Sequence, residues 1–380
     1  MSLPHIGIIS PEFPPDIGGV ENYALGYAMA LVDLGYPVTV FTTPHSAGEI
    51  KVPGINVRPL LKLRRVLDRH LLNDTSIEAW HVMNAAYSWV AEDTNQNVVV
   101  SVHGNDFLKA YYPLTGPAIY RFGPLWRWTS TLRRLDNCFQ NHTTHKLRHW
   151  LPKASHVLCN SRYTEAILLE AVPACRGKTT PALVGVDPYF LEMPLASKSR
   201  HQPVRLVSIT RLSEPRKNID RVLHALAQLK DSFHFQYTVI GDGATRPHLE
   251  NLVSQLGLQN HVVFTGSLNR QDLRDSLRQS DLFILSSSIL PGSHEGFGLV
   301  YLEAAACGVP SLACRQAGAG EAVAENTSGL FVEQPEIADI SAALKSFLAG
   351  DIQFKRDDCR HFAQQFSWQR VVEKALPFYH

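Results

Sequence analysis

Short apolar runs alternate from end to end of this chain with stretches that repeat apolar residues at helical spacing. That alternation dictates parallel sheets covered by helices on both faces. Residues 5–10 read as a buried strand, bounded by a breaker run at 11–19. Val20, Tyr23, Ala24, Tyr27, Ala28, Leu31 and Leu34 then follow a helical period, Gly35 and Tyr36 close that helix, and 37–41 is the next strand. Later strands of the same sheet are read at 98–103, 156–160 and 180–184. At 191–203 the sequence turns small, polar and proline-flanked, which marks a linker, and a second α/β series restarts with strands at 204–210, 235–241, 261–264, 281–286 and 310–313. The fold class is therefore α/β, with two doubly wound Rossmann-like domains and a ligand cleft expected where the carboxyl ends of the sheets meet. A length of 380 residues at about 150 per domain agrees. The expected domains are 1–192 and 203–364, with a last segment at 365–380.

Composition excludes several classes. Lys and Arg total 36 against 35 Asp and Glu, so no global field favours nucleic acid. Unbroken apolar runs such as 98–100 and 282–285 are far short of the ~20 residues a spanning helix needs. No basic segment precedes the first apolar run, so no signal peptide is expected and the cytoplasm is the expected location. The six cysteines contain no CxxC pair, which argues against structural zinc and for reduced, buried thiols. His142, His145 and His149 share a helix face with Lys146 and Arg148 and read as a solvated basic surface rather than a metal site. Asp272 and Asp275 likewise read as solvated, and no metal is expected.

Four motifs carry chemistry. Gly18 and Gly19, between the first strand and first helix, let backbone approach a ligand and aim helix amides at an anion such as a diphosphate; an ordinary strand-to-helix turn has the same pattern. Arg211 and Lys217 follow the first strand of the second half. Lys217 reads as a helix first-turn residue, where the macrodipole disfavours a cation, so a doubly charged diphosphate is the reason expected for it; a solvated basic loop is the alternative. Glu295 and Glu303 lie eight positions apart across Gly296-Phe297-Gly298-Leu299. The glycines free the amides of Phe297, Gly298 and Leu299 for ligand oxygens, and carboxylates hold vicinal hydroxyls. Glu303 sits among residues that read as buried and so requires donors. His103, before Gly104 at a strand's carboxyl end, points toward the cleft; a hydrogen-bonded structural histidine is the alternative. Gly241-Asp242-Gly243 reads as a structural turn.

Together these residues resemble the retaining GT-B glycosyltransferases of family 4, over nearly the whole length, from Gly18-Gly19 to Phe366-Ser367-Trp368. Residues 210–218 are especially similar to the stretch found in phosphatidylinositol mannosyltransferases. Two departures stand out: Val184-Gly185-Val186-Asp187 replaces a typical Asn-Gly-Val-Asp, and 286–294 is longer than usual. The resemblance implies transfer of a hexosyl unit from a nucleoside-diphosphate sugar to a glycan or lipid-linked acceptor in surface polysaccharide or glycolipid synthesis, with no cofactor. Arg211, Lys217, Gly18 and Gly19 would meet the diphosphate and Glu303 the ribose. Glu295 and the amides at Phe297, Gly298 and Leu299 would fix the sugar, with His103 beside it. No opposite-face carboxylate is evident, so the retaining reaction implied is front-face attack by the acceptor; the resemblance also implies a final helix that crosses back to the first domain. A sugar-nucleotide epimerase and a non-catalytic binding module are the competing readings. Arg58, Lys62, Arg64, Arg65 and Arg69 interleave with apolar residues, as do the aromatics and cations of 120–128, followed by Arg133 and Arg134. A peripheral contact with the inner membrane leaflet is expected there, a solvated face being the alternative.

Overall fold

The computed structural model describes residues 3–14, 18–44, 52–110, 130–195 and 202–380, those at 130–139 by backbone alone. The chain divides into two compact units, Met1–Gly185 with Ser367–His380, and Val186–Phe366.

The first unit holds seven parallel strands: β1 (Ile6–Ile9), β2 (Val38–Phe41), β3 (Ile55–Arg58), β4 (Ala79–Val82), β5 (Asn97–Val102), β6 (His156–Cys159) and β7 (Thr179–Pro181). They run in the order β3-β2-β1-β4-β5-β6-β7. β1, β2, β4 and β6 are buried along their whole length, which is why they are short and why most read as unbroken apolar runs. On one face of the sheet Trp80, Tyr87, Trp89, Phe107 and Leu168 form a core. Two strands of this unit escaped the sequence reading. β3 is a half-exposed edge, and β4 is Ala-Trp-His-Val, whose buried His81 breaks the apolar signal.

The second unit is built the same way from β8 (Val204–Ile209), β9 (Phe235–Ile240), β10 (Val262–Gly266), β11 (Leu282–Leu285), β12 (Ser311–Cys314) and β13 (Gly329–Val332). Their order is β10-β9-β8-β11-β12-β13, again all parallel. The amphipathic Ile219–Ala227 helix buries Ile219, Val222, Leu223 and Leu226 on this sheet beside Tyr237 and Ile284. Strand order reverses between β1 and β4 in one unit and between β8 and β11 in the other, the places where open α/β sheets bind ligands.

The division between units falls earlier than the change in composition suggests. The chain crosses at Gly185–Val186, not within 191–203, and returns at Ser367 rather than 365. The reason is a strap of arginines within the second unit. Arg270 and Arg274 lie 4.2 and 3.8 Å over the Tyr189 ring, and Arg274 donates to the Tyr189 carbonyl at 3.2 Å. Arg278 donates to the Pro194 carbonyl at 2.9 Å and Arg360 to that of Met193 at 2.7 Å. The rest of the expected linker, 196–201, lies outside the described residues.

Candidate active site

In the second unit, the segments that follow β8 and β11 meet. After β8, Arg211 leaves the sheet with an exposed side chain, 3.2 Å from Glu214. Pro215–Lys217 is a 3₁₀ turn, and Asn218 takes φ 55° before the Ile219–Ala227 helix begins. Lys217 therefore does not occupy a helix first turn, and its ammonium is held instead by Glu295, 2.5 Å away. Asn218 is locked by donating to the Ser286 carbonyl and the Ser288 hydroxyl, at 2.6 and 2.7 Å. The two loops are thus one polar assembly.

Glu295 is its centre. Arg216, only 7% exposed, places one guanidinium nitrogen 3.3 Å from Glu295 and another 2.6 Å from Glu214. Ser287 donates to the same Glu295 oxygen at 3.2 Å. Burial alone would raise the Glu295 carboxyl, but the Lys217 and Arg216 charges outweigh it and hold it at about 2. It is an anion at neutral pH and serves as an acceptor of hydrogen bonds, not as a proton donor. Arg216 was missed in sequence because an Arg-Lys pair in a loop reads as solvated; Glu214 stands just before it, but Glu295, which turns the pair inward, lies 79 positions downstream and leaves no local signal.

Past Glu295 the chain turns through Gly298, φ 95°, into the Leu299–Ala306 helix. A Cβ there would lie 2.5 Å from the Tyr301 ring, so the turn requires glycine. Among the described residues no backbone carbonyl or side chain accepts from the amides of Phe297, Gly298 or Leu299, which leaves a row of N–H donors at a helix start. Glu303 lies on that helix, 5% exposed, and among the described residues no donor reaches its carboxylate. Burial, with Asp187 adding repulsion, pushes it up to about 7. A buried carboxyl without donors keeps unused acceptor capacity.

Gly241-Asp242-Gly243 proves to be the prop of the Arg211 loop. Leu212 donates to the Asp242 carbonyl at 2.9 Å and Thr245 to that of Leu212 at 2.7 Å. A cavity of about 180 Å³ beside this prop is lined by Thr210, Arg211, Lys217, Thr245 and His248 among others.

In the first unit, Gly18 is the N-cap of the Gly19–Asp33 helix, with the Glu21 carboxylate of the first turn packed against it; Pro15, Asp16 and Ile17 of the same motif lie outside the described residues. His103 follows β5 directly. Its backbone N–H donates to Asp106 at 2.9 Å, and the ring bonds the Met83 backbone. Nε2 is buried with no partner among the described residues. Burial lowers the imidazole, against the pull of Asp106, so the neutral ring presents a lone pair.

The basic stretch is more paired than its sequence suggests. Arg58 sits 2.6 Å from Asp74, and Arg65 takes Asp93 with two nitrogens at 2.9 and 2.6 Å while lying 5.3 Å over Trp150. Lys62 and Arg64 stay exposed beside Leu60, Val66 and Leu67, as does Arg69, whose guanidinium also lies 3.4 Å from Asp93. The 120–128 segment and the side chains of Arg133 and Arg134 lie outside the described residues. His142 and His145 are exposed, and His149 reaches Glu92 at 3.3 Å. Cys159, Cys175, Cys307, Cys314 and Cys359 are free and buried. Among the described residues no three His, Cys, Asp or Glu side chains group to hold a metal, and no helix is long and apolar enough to cross a membrane.

Two family models divide the chain between them: Glycosyltransferase Family 4 matches residues 17–189 and Glycosyl transferases group 1 matches 193–366. A GDP-mannose-dependent α-(1-6)-phosphatidylinositol monomannoside mannosyltransferase of Mycolicibacterium smegmatis is 24% identical, over 90% of this chain and 88% of its own. The D-inositol 3-phosphate glycosyltransferase of Paenarthrobacter aurescens is 25% identical, over 96% and 93%. Among solved structures, sucrose-phosphate synthase from Thermosynechococcus elongatus superposes with a TM-score of 0.74 at 20% identity, covering 99% of this chain and 98% of its own.

Proposed function

The chain belongs to the group 1 glycosyltransferases of the GT-B fold, and from that premise we propose that it moves a hexosyl unit, with retention at the anomeric carbon and without a metal, from a nucleoside-diphosphate sugar to a glycan or lipid-linked acceptor. The observation that carries this reading is the Lys217–Glu295 contact of 2.5 Å. It joins a cation suited to a diphosphate with a carboxylate suited to sugar hydroxyls in one polar assembly.

In this mechanism Arg211 and Lys217 neutralise the charge that develops on the leaving diphosphate, a role that needs no metal. The Gly18 and Gly19 amides serve the same anion from the first unit. Glu295 and the amides of Phe297, Gly298 and Leu299 hold the sugar, Glu303 holds the ribose hydroxyls, and His103 Nε2 accepts from a sugar hydroxyl. Glu295, an anion bound by two cations, is both a poor nucleophile and a poor acid. The acceptor oxygen therefore attacks from the face the diphosphate leaves: the new C–O bond forms, the C–O bond to phosphate breaks, and the departing phosphate oxygen takes the acceptor's proton. Catalysis is positioning and charge stabilisation.

A thermal-shift series with UDP, GDP, ADP and CMP tests the donor site. A ligand at roughly 100 times its Kd stabilises by about 2.7 kcal/mol. One nucleotide is expected to shift the protein, unaffected by chelator, and Lys217→Ala should abolish the shift. No shift with any of the four would remove the donor assignment. We infer that the acceptor side meets a membrane surface through Leu60, Val66 and Leu67, Val66 being 88% exposed, beside the exposed cations Lys62 and Arg64. Arg58 and Arg65, expected to serve there, are taken up by carboxylates. Co-sedimentation with phosphatidylglycerol vesicles should fall several-fold in Val66→Asp/Leu67→Asp; equal binding by wild type and variant would refute the contact.

A further inference from the structure

The first unit buries a continuous chain of polar side chains that the proposed reaction does not use. The Tyr27 hydroxyl meets that of Tyr379 at 2.7 Å, and Tyr379 reaches His81 Nδ1 at 2.5 Å. His81 Nε2 meets the Ser101 hydroxyl at 2.8 Å, and Ser101 meets that of Tyr23 at 3.2 Å. All five residues are at most 2% exposed. Phenylalanine and valine would fill the same space without the cost of desolvating five polar groups, so the relay specifies geometry rather than adding bulk stability.

Its near end lies against His103. The Tyr23 ring stands edge-on to the His103 imidazole with centroids 4.5 Å apart. Tyr23 also packs, again edge to face, at 5.1 Å from Trp368. Trp368 fits because Gly26 and Gly185 lack side chains; a Cβ on either would come within 2.3 and 2.5 Å of the indole. Ser101 and His103 stand two residues apart on β5 and its extension, hence on one face. The far end is fixed as firmly: Phe378 stacks on His156 at 3.7 Å, and Asn97 donates to the His380 carbonyl at 2.8 Å.

We propose that the carboxyl-terminal tail sets the position of His103, with Tyr379, His81, Ser101 and Tyr23 acting as positioning residues for it. His81 is neutral, its imidazole lowered to about 3 by burial and by His103, and a neutral ring has one donor and one acceptor. The relay therefore runs in a single direction, and removing one hydroxyl reorients every group between it and Tyr23. The inference rests on His103 acting at the sugar, as proposed above.

The test uses the full chain with Tyr379→Phe, which keeps the ring and deletes one oxygen. Transfer kinetics, nucleotide affinity and the histidine ring signals in NMR are read together. The expected result is a kcat about 10-fold lower, nucleoside diphosphate affinity unchanged within about twofold, and moved signals for both His81 and His103. Tyr23→Phe, which retains both ring contacts, should repeat it and serves if the first variant does not fold. Unmoved His103 signals, or an unchanged kcat, would overturn the proposal and leave the tail as packing alone. Moved His103 signals in a protein whose wild type transfers no sugar would uphold the relay and defeat the transferase reading instead.

Discussion

Glu303 shows what the role proposed for one side chain in binding would cost the free protein. Its carboxyl is held near 7 by burial and by Asp187. The folded state thus keeps a proton that the unfolded chain has lost, over the range from the ordinary carboxylate value to about pH 7. Stability falls as pH rises through that window, and above it the buried charge costs about 3 kcal/mol. Glu303→Gln should accordingly melt higher than wild type at pH 8 and alike at pH 4, while binding nucleotide more weakly. A variant that melts lower at pH 8 would show that the carboxylate has donors in the free protein. The two glutamates and the Gly-Phe-Gly turn between them were legible because their chemistry lies within nine consecutive positions. Arg216 and Ser287 were not, because what makes them part of the site is long-range burial against Glu295.

At the scale of elements, apolar runs revealed most strands of both sheets. β4 was hidden because its third residue is a histidine, and only the relay to Ser101 and Tyr379 makes that residue tolerable at 0% exposure. β13 opens on Gly329, whose missing Cβ admits the Ser311 carbonyl at 2.2 Å; a glycine there weakens the strand pattern it makes possible. The Gly241–Gly243 turn was rightly read as structural, yet it carries the Arg211 loop. Gly243 has φ 155°, and a Cβ would lie 2.4 Å from the Leu212 backbone. Gly243→Ala is expected to displace that loop and lower nucleotide affinity at least 10-fold, a loss readable by calorimetric titration; unchanged affinity would detach Arg211 from the donor. Composition misplaced the boundary between units for a related reason. The arginines that bind residues 187–195 come from helices far along the chain.

Across the whole molecule, the two units have separate cores and separate sheets, so unfolding should not be a single two-state event. Scanning calorimetry is expected to resolve two transitions, and a nucleoside diphosphate should raise chiefly the one belonging to Val186–Phe366, which supplies Arg211, Lys217 and Glu303. Equal displacement of both would show that the first unit contributes strongly to donor affinity. The amino-terminal unit also has an order of assembly imposed on it by the path of the chain. Ser367–His380 belongs to it, so its sheet, made before that of the second unit, waits until the chain beyond that unit is translated before Tyr379 can complete its interior. The second unit, continuous in sequence, is finished while the first is still open. A stop codon just beyond Phe366 would therefore release a product whose later half is whole and whose earlier half is not, the reverse of what truncation ordinarily does.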